Sequence, residues 1–563
     1  MLPGGEGMTL AALVFAVILF CGLPMALVAK LAFTGEAGFS AAPFLEALAS
    51  RSVRQALWNS LESGLLSALC ATVVGTVLAL LFGLTDIRRK GPLIFMLLLP
   101  MMIPPHVTAI SWIQALGPSS PVLAPLGLAP PPGTANPLYS LGGLVGLLTL
   151  QHAPLTFLIV RAALRALPSE LVEAARLSGG GPVRVLLRVI LPLILPSMIA
   201  AFALAFVSAL GNFGINALIG IPARYTTLPV LIFQRLSSFG PSMLANVAVI
   251  ACVLGLVAIA ATILQALAER GRRFSLVGPP QKTLAIRLGA SRPMVETGLW
   301  LLVGATVALP LAALIGTALV PVYGVPLNLD TVTLRNFSEI LFSQQVTIRA
   351  FVNSTLLAAT AALLLAVLSI GLGHFLNRDA KARVVAGVAS GLADLAYALP
   401  GLVLAVGFIL AFIRPLPGLG ISLYNTHAII LIAYCAAFLA VALKPVAAAY
   451  GQLDPNLDAA ARLTGAGYLR RMRLVAGPLV APAAASGALL VFLTAYNEVT
   501  VSALLWSSGK ETIGTTIFNY EQAGYPTLSA AMATVTVVVT LVVMLALNGA
   551  ARRLPAGVVP WRD

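Results

Sequence analysis

Apolar residues fill most of the chain in stretches of twenty or more, broken by short clusters of Pro, Gly and charged residues. A helix that crosses a bilayer needs about 20 such residues. Marking the runs by that measure predicts twelve spans, near 9–31, 55–84, 92–116, 139–160, 190–217 and 243–268, then 295–321, 351–376, 385–413, 424–443, 475–505 and 526–549. The predicted fold class is an all-α polytopic membrane protein. The first run is longer than the apolar core of a secretion signal and has no basic stretch before it, so it reads as an uncleaved span.

Composition sharpens this. Of 563 residues, 59% are hydrophobic and 9% charged, against about 25% charged in a soluble protein, which excludes a compact soluble enzyme. The net charge of +15 would suggest nucleic acid as a partner of a soluble chain. Here most Lys and Arg residues gather in alternate connecting segments, among them Arg88–Lys90, Arg161–Arg188, Arg270–Arg292, Arg378–Arg383, Lys444–Arg473 and Arg552–Arg562. The expected partner is the lipid bilayer and not nucleic acid, and the basic segments and both termini are expected in the cytoplasm. Four Cys and four His are scattered, with no pair at metal-ligand spacing, and no nucleophile–base pair recurs. No catalytic or metal site is predicted.

The two halves repeat each other. Asn59-Ser60 recurs as Asn353-Ser354, Ala174-Ala175-Arg176-Leu177-Ser178-Gly179 as Ala460-Ala461-Arg462-Leu463-Thr464-Gly465, and Pro192 and Pro196 as Pro478 and Pro482. This predicts a duplication of six spans, 1–269 and 295–563, joined by a basic linker at 270–294. An even number of spans per copy gives both the same orientation.

Between the fourth and fifth runs, Leu171, Ala174, Ala175 and Ser178 share one helical face. The Gly179–Gly181 run followed by Pro182 ends that helix. The sequence Glu173-Ala174-Ala175, then Gly179, then Val189, Leu191 and Pro192 resembles the EAA loop in permease subunits of bacterial binding-protein-dependent ABC importers. The second copy departs from it: Ala459 replaces the Glu with Asp458 one place earlier, Ala460, Ala461 and Gly465 are kept, and Gly477-Pro478 replaces Leu-Pro. Further likeness to fused iron(III)-type permeases covers nearly the whole chain, through Gly211-Asn212-Phe213-Gly214 and Tyr496-Asn497-Glu498 with the residues that follow each.

The resemblance implies a type I ABC importer-like fold in the bacterial inner membrane, with Glu173, Ala174, Ala175, Gly179, Asp458, Ala460, Ala461 and Gly465 coupling to two cytoplasmic ABC ATPase subunits. It also implies an extracytoplasmic solute-binding protein. ATP and Mg would be bound by the ATPase, since Ser508-Gly509-Lys510-Glu511 lacks the glycine loop and hydroxyl of a phosphate-binding motif, and no cofactor is expected on this chain. Ferric iron is the expected solute, with 2-aminoethylphosphonate, thiamine, polyamine and sugar phosphate carried by relatives of similar layout.

Polar residues inside spans point to a pathway, because an ionisable group at mid-membrane costs about 2.5–3.5 kcal/mol on insertion scales. Glu498, with Thr494, Asn497 and Ser502, is the leading cluster, and Asn212 and Asn216 are its counterparts in the first half. Asp394, Tyr397 and His106 are lesser candidates. The segments 117–137, 220–241, 322–349 and 506–525 offer a docking face on the opposite side. The competing class is a twelve-span secondary transporter, which the recurring Ala-Ala…Gly helix disfavours.

Overall fold

A computed structural model describes residues 4–35, 38–167, 169–237, 243–270, 286–378, 380–415, 420–454, 456–463 and 465–550. Of the predicted linker, 271–285 lies outside these, as do Pro168, Thr464 and the C-terminal arginines. Among the described residues, ten helices are long and apolar enough to cross a membrane unbroken: Gly5–Ala32, Arg51–Leu84, Leu141–Arg165, Pro182–Gly211, Met243–Leu267, Gly289–Ala318, Gln345–Leu376, His427–Gln452, Tyr468–Tyr496 and Pro526–Ala546. Two bent helix pairs meet the same measure when each is counted as one span, Lys90–Met102 with Pro105–Leu116 at 103°, and Ala380–Ala398 with Gly401–Phe412 at 113°. Numbered in chain order, these are spans 1 to 12. The only strands among the described residues are Thr34–Gly35 and Gly38–Phe39.

The breaks depart from the continuous runs the sequence suggests. Span 3 breaks before Pro104-Pro105 and span 9 at Pro400, where a ring replaces the N–H that would continue the helix. Spans 5 and 11 also stop earlier than their apolar runs, at Gly211 and Tyr496, and short helices Phe213–Gly220 and Ser502–Leu505 follow.

The repeat is visible as backbone geometry. Single π-turns occupy Ile18–Gly22, Leu186–Ile190, Gly304–Ala308 and Met472–Ala476, just before Pro24, Pro192, Pro310 and Pro478. The first and third, and the second and fourth, are each 286 positions apart. Widening the turn accommodates the ring and the carbonyl that the proline leaves without a donor. Within the first half, spans 2 and 4 meet at Gly75, where a Cβ would stand 1.9 Å from Thr156 Oγ1. The Thr156 hydroxyl donates to the Ala71 carbonyl at 2.7 Å, so a small residue and a hydroxyl bind the helices where apolar burial gives no net drive in lipid.

The first span of each half crosses to the other half. Span 1 packs along spans 8, 9 and 10, with Gly371 beside Leu13 and Gly407 beside Pro24. Span 7 packs on span 3, and Ile286 just before it donates its N–H to Leu84 O at 2.5 Å. Ion pairs fix both starts with opposite polarity: Glu6 to Arg378, and Arg292 to Asp86 at 3.6 Å. The hydrogen bond from Leu288 N–H, with Arg292 beside it, holds the Asp86 carboxyl below its ordinary value.

Candidate coupling helices and gate

Two short helices stand on the face that carries the basic loops, Ser169–Leu177 before span 5 and Asn456–Leu463 before span 11. Their ends share one cap. Gly180 N–H donates to Ala175 O at 3.0 Å, with Gly179 at φ 80°, and Ala466 N–H donates to Ala461 O at 3.3 Å, with Gly465 at φ 75°. This six-to-one bond around a left-handed residue is why glycine stands at both positions.

Glu173, Ala174 and Ala460 are exposed, while Ala175 and Ala461 are half-buried toward the protein. Leu177 and Leu463 are each 90% exposed, and Leu171 with Leu457 and Val183 with Leu469 repeat the pattern. The same bare apolar positions thus stand beside basic residues on both short helices. Asp458 differs from Glu173: Arg462 donates to it at 2.8 Å, and Arg471 and Arg378 lie 3.3 and 3.6 Å away as ion pairs.

At the far ends of spans 5 and 11 the structure brings the predicted polar residues into two matching turns. Asn212 Oδ1 accepts from Ile215 N–H at 3.0 Å, and the Asn216 amide donates to Asn212 O. In the same register, Glu498 Oε1 accepts from Val501 N–H at 2.6 Å, Oε2 from Ser502 N–H at 3.1 Å, and the Ser502 hydroxyl donates to Glu498 O at 3.0 Å. Asn212 and Glu498 thus cap the short helices that follow. The Asn497 amide donates to Leu493 O at 3.4 Å, and Thr494 is exposed, its hydroxyl donating to Leu490 O.

Sequence reasoning missed Ser208, the counterpart of Thr494 at the same spacing. It too is exposed, and its hydroxyl lies 2.9 Å from His152 Nε2. The 286-residue register was the available signal. Beyond these residues, Phe213 and Phe233 of the first half meet Phe518 of the second, with ring centroids 5.0 to 5.8 Å apart. Gly211 lies against Pro400 across the halves. These contacts join the two halves on the far side. His106 is fully buried at the bend of span 3 with neither ring nitrogen hydrogen-bonded. Asp394 pairs with Lys444 at 3.2 Å beside Tyr397, both charges half exposed or more.

The repeated Asn-Ser pair pins the far-side loops. Asn59 donates to Thr226 O at 2.9 Å and Ser60 accepts from Leu228 N–H at 2.8 Å. Asn353 donates to Glu511 O at 2.9 Å and Ser354 accepts from Ile513 N–H at 2.9 Å. Burial, reinforced by the hydrogen bond to Glu62, raises the Tyr225 hydroxyl above its ordinary value. Burial pushes the Glu511 carboxyl up as well, but hydrogen bonds from Gly509 N–H and Arg349 outweigh it and hold the carboxyl below the ordinary value. Of the tyrosines on this face, Tyr525 and Tyr323 are exposed and Tyr520 is hydrogen-bonded to Thr347.

Capped twin helices on one face and a duplicated polar turn near the other are the marks of a two-half membrane subunit. The chain belongs to the family of inner membrane components of binding-protein-dependent transport systems, the permeases of ABC importers: the family pattern matches twice, over residues 75–274 and 366–558. The fold is of the type I importer kind. The chain is 27% identical to a probable ABC transporter permease, y4fN, of Sinorhizobium fredii, over 98% of this chain and 96% of the relative. It is 23% identical to the Fe(3+)-transport system permease FbpB 2 of Haemophilus influenzae, over 82% and 83%. The molybdenum permease ModB of Azotobacter vinelandii matches at 29%, over 32% of this chain and 79% of its own.

Proposed function

We propose that the chain forms the whole translocation path of an ATP-driven importer for ferric iron, with both of its coupling helices on one polypeptide. Two separate ATPase subunits dock beneath it, one at Ser169–Leu177 and one at Asn456–Leu463. A solute-binding protein outside the membrane docks on the far face, around 117–137, 220–237, 322–349 and 506–525. The observation that carries this reading is the pair of matched, glycine-capped helices presenting Leu177 and Leu463 to solvent. The Fe(3+) permeases among the relatives support the choice of solute.

In this reading the basic face and both termini are cytoplasmic, and Phe213, Phe233 and Phe518 hold the outside shut. ATP-driven closure of the ATPases draws the two short helices together and rocks the halves. The turns at Asn212 and Glu498 then part to admit solute past Ser208 and Thr494. Alternating access of this kind needs each ATPase movement to reach a rigid helix, which the caps supply.

Purification from its native membrane should bring down an ATPase, and proteoliposomes holding the assembly with its binding protein should take up labelled ferric iron only with ATP. Uptake that persists without ATP and collapses with the proton gradient would show a secondary transporter instead. ATP-dependent uptake of another solute in competition assays would overturn the iron assignment alone.

A further inference from the structure

At the start of span 1 the Glu6 carboxylate is 3% exposed and receives both the Arg378 and the Arg471 guanidinium groups. Arg471, itself 4% exposed, lies just beyond the second short helix, and Arg378 lies in the loop closing span 8. Both arginines also approach Asp458, at 3.3 and 3.6 Å, and Asp458 is a residue of that short helix. One carboxylate from the first half therefore sits behind the coupling helix of the second.

Behind the first short helix the packing is apolar. The register position of Arg471 is Val185, 3% exposed in an apolar cluster with Val160, Leu164 and Ile190, against which Val172 and Ala175 of the first short helix and Val295 of span 7 pack. Arg292, the register counterpart of Glu6, is tied to Asp86 and Glu296. The second half thus has an ionic brace where the first has an apolar one.

Such a cluster depends on every member. Removing the Glu6 charge leaves two shielded arginines with only the part-exposed Asp458 to balance them, and breaking a buried pair from one side costs far more than replacing the whole set by apolar groups. The cost falls on the segment that holds Asn456–Leu463 in place.

We propose that Glu6 is a positioning residue for the second coupling helix: through Arg378 and Arg471 it fixes Asp458, so the first half's own leading helix sets where the second ATPase engages. The proposal rests on the docking of ATPases at both short helices. A photo-crosslinking amino acid placed at position 177 or 463, both fully presented to solvent, reads that engagement in the assembled transporter. Glu6→Gln should reduce crosslinking from 463 several-fold, leave crosslinking from 177 unchanged, and lower iron taken up per ATP hydrolysed. Glu6→Leu combined with Arg471→Val, which removes one charge of each sign and places at 471 the valine that the first half has at 185, should restore both. Unchanged yield from 463 and unchanged coupling in Glu6→Gln would overturn the brace, as would equal loss from 177 and 463, the signature of general misfolding. Absence of ATPase crosslinks from either position in the otherwise unaltered protein would remove the docking reading itself.

Discussion

Leu177 and Leu463 lie 286 positions apart in the chain and hold the same place on two short helices, each 90% exposed while the alanines behind them turn inward. A leucine kept bare at the end of a capped helix in both copies contributes when something covers it. Burying such a side chain stabilises by about 1.5–3 kcal/mol, which corresponds to roughly a 10- to 150-fold change in affinity. Leu177→Asp or Leu463→Asp should each weaken ATPase association by about that factor, and the double variant should abolish it. Microscale binding of the purified ATPase to the detergent-solubilised permease measures this, and wild-type affinity in the double variant would refute the docking surface.

Glu173 and Gly179 test the first loop separately from its fold. Gly179 sits at φ 80°, and a Cβ there costs about 1–2 kcal/mol in a left-handed turn. Gly179→Ala should shift the cap, and Glu173→Ala should remove an exposed acid without touching the core. Both should leave membrane insertion intact while iron uptake per ATP falls several-fold. Gly465→Ala should do the same through the second loop. Full coupling in the Glu173→Ala, Gly179→Ala double variant would count against the role given to this loop.

Much of this architecture was legible in the sequence because lipid imposes a length and forbids unpaired backbone, so twelve spans and their repeat appear as runs and spacings. The two short helices were legible through the repeated Ala-Ala spacing that ends in Gly179 and Gly465, both of which stand in left-handed caps. What hydropathy could not show were the breaks at Pro104 and Pro400 and the early stops at Gly211 and Tyr496, since the apolar run continues through each. Glu498 shows the limit most clearly. A carboxylate in an apolar run marks a polar event, but whether it meets a solute or two backbone N–H groups depends on a turn that periodicity does not resolve. Glu6 left no signal at all, because its partners lie 372 and 465 positions away.

The Asn-Ser pairs hold the far-side loops by bonds to backbone groups, so their loss should appear as lost stability. Asn59→Ala leaves Thr226 O without its donor, and Asn353→Ala leaves Glu511 O and Gly509 O without theirs. An unsatisfied buried acceptor costs about 1–3 kcal/mol. Both variants should unfold at lower temperature in detergent, Asn353→Ala more so. Equal melting of both variants and the parent protein would show that these loops are held by other contacts.

Asp86 makes the docking of span 7 sensitive to acid. Its carboxyl is held below the ordinary value, first by Leu288 N–H and then by Arg292. A carboxylate depressed on folding contributes stability that is complete above its unfolded value, about 3.9, and is lost as pH falls through the folded value. Hydrogen exchange at the Leu288 amide, corrected for intrinsic rates, should rise in that acid window, and Asp86→Asn should raise it at neutral pH and flatten the dependence. A flat profile in the unaltered chain would exclude this linkage.

Glu498 separates a capping role from a solute-binding one. Its two oxygens accept the N–H groups of Val501 and Ser502, while in the first half Asn212 performs the same service with one neutral oxygen. A hydrogen bond to a charged group contributes about 1.5–3 kcal/mol, so Glu498→Ala should lower the melting temperature and close down uptake with it. Glu498→Asn copies the first half's cap and should recover most of the stability lost in Glu498→Ala. If capping is the whole of its role, iron uptake returns in proportion to the recovered stability. A Glu498→Asn protein that melts like its parent yet transports no iron would show that the carboxylate itself meets the solute on its way through.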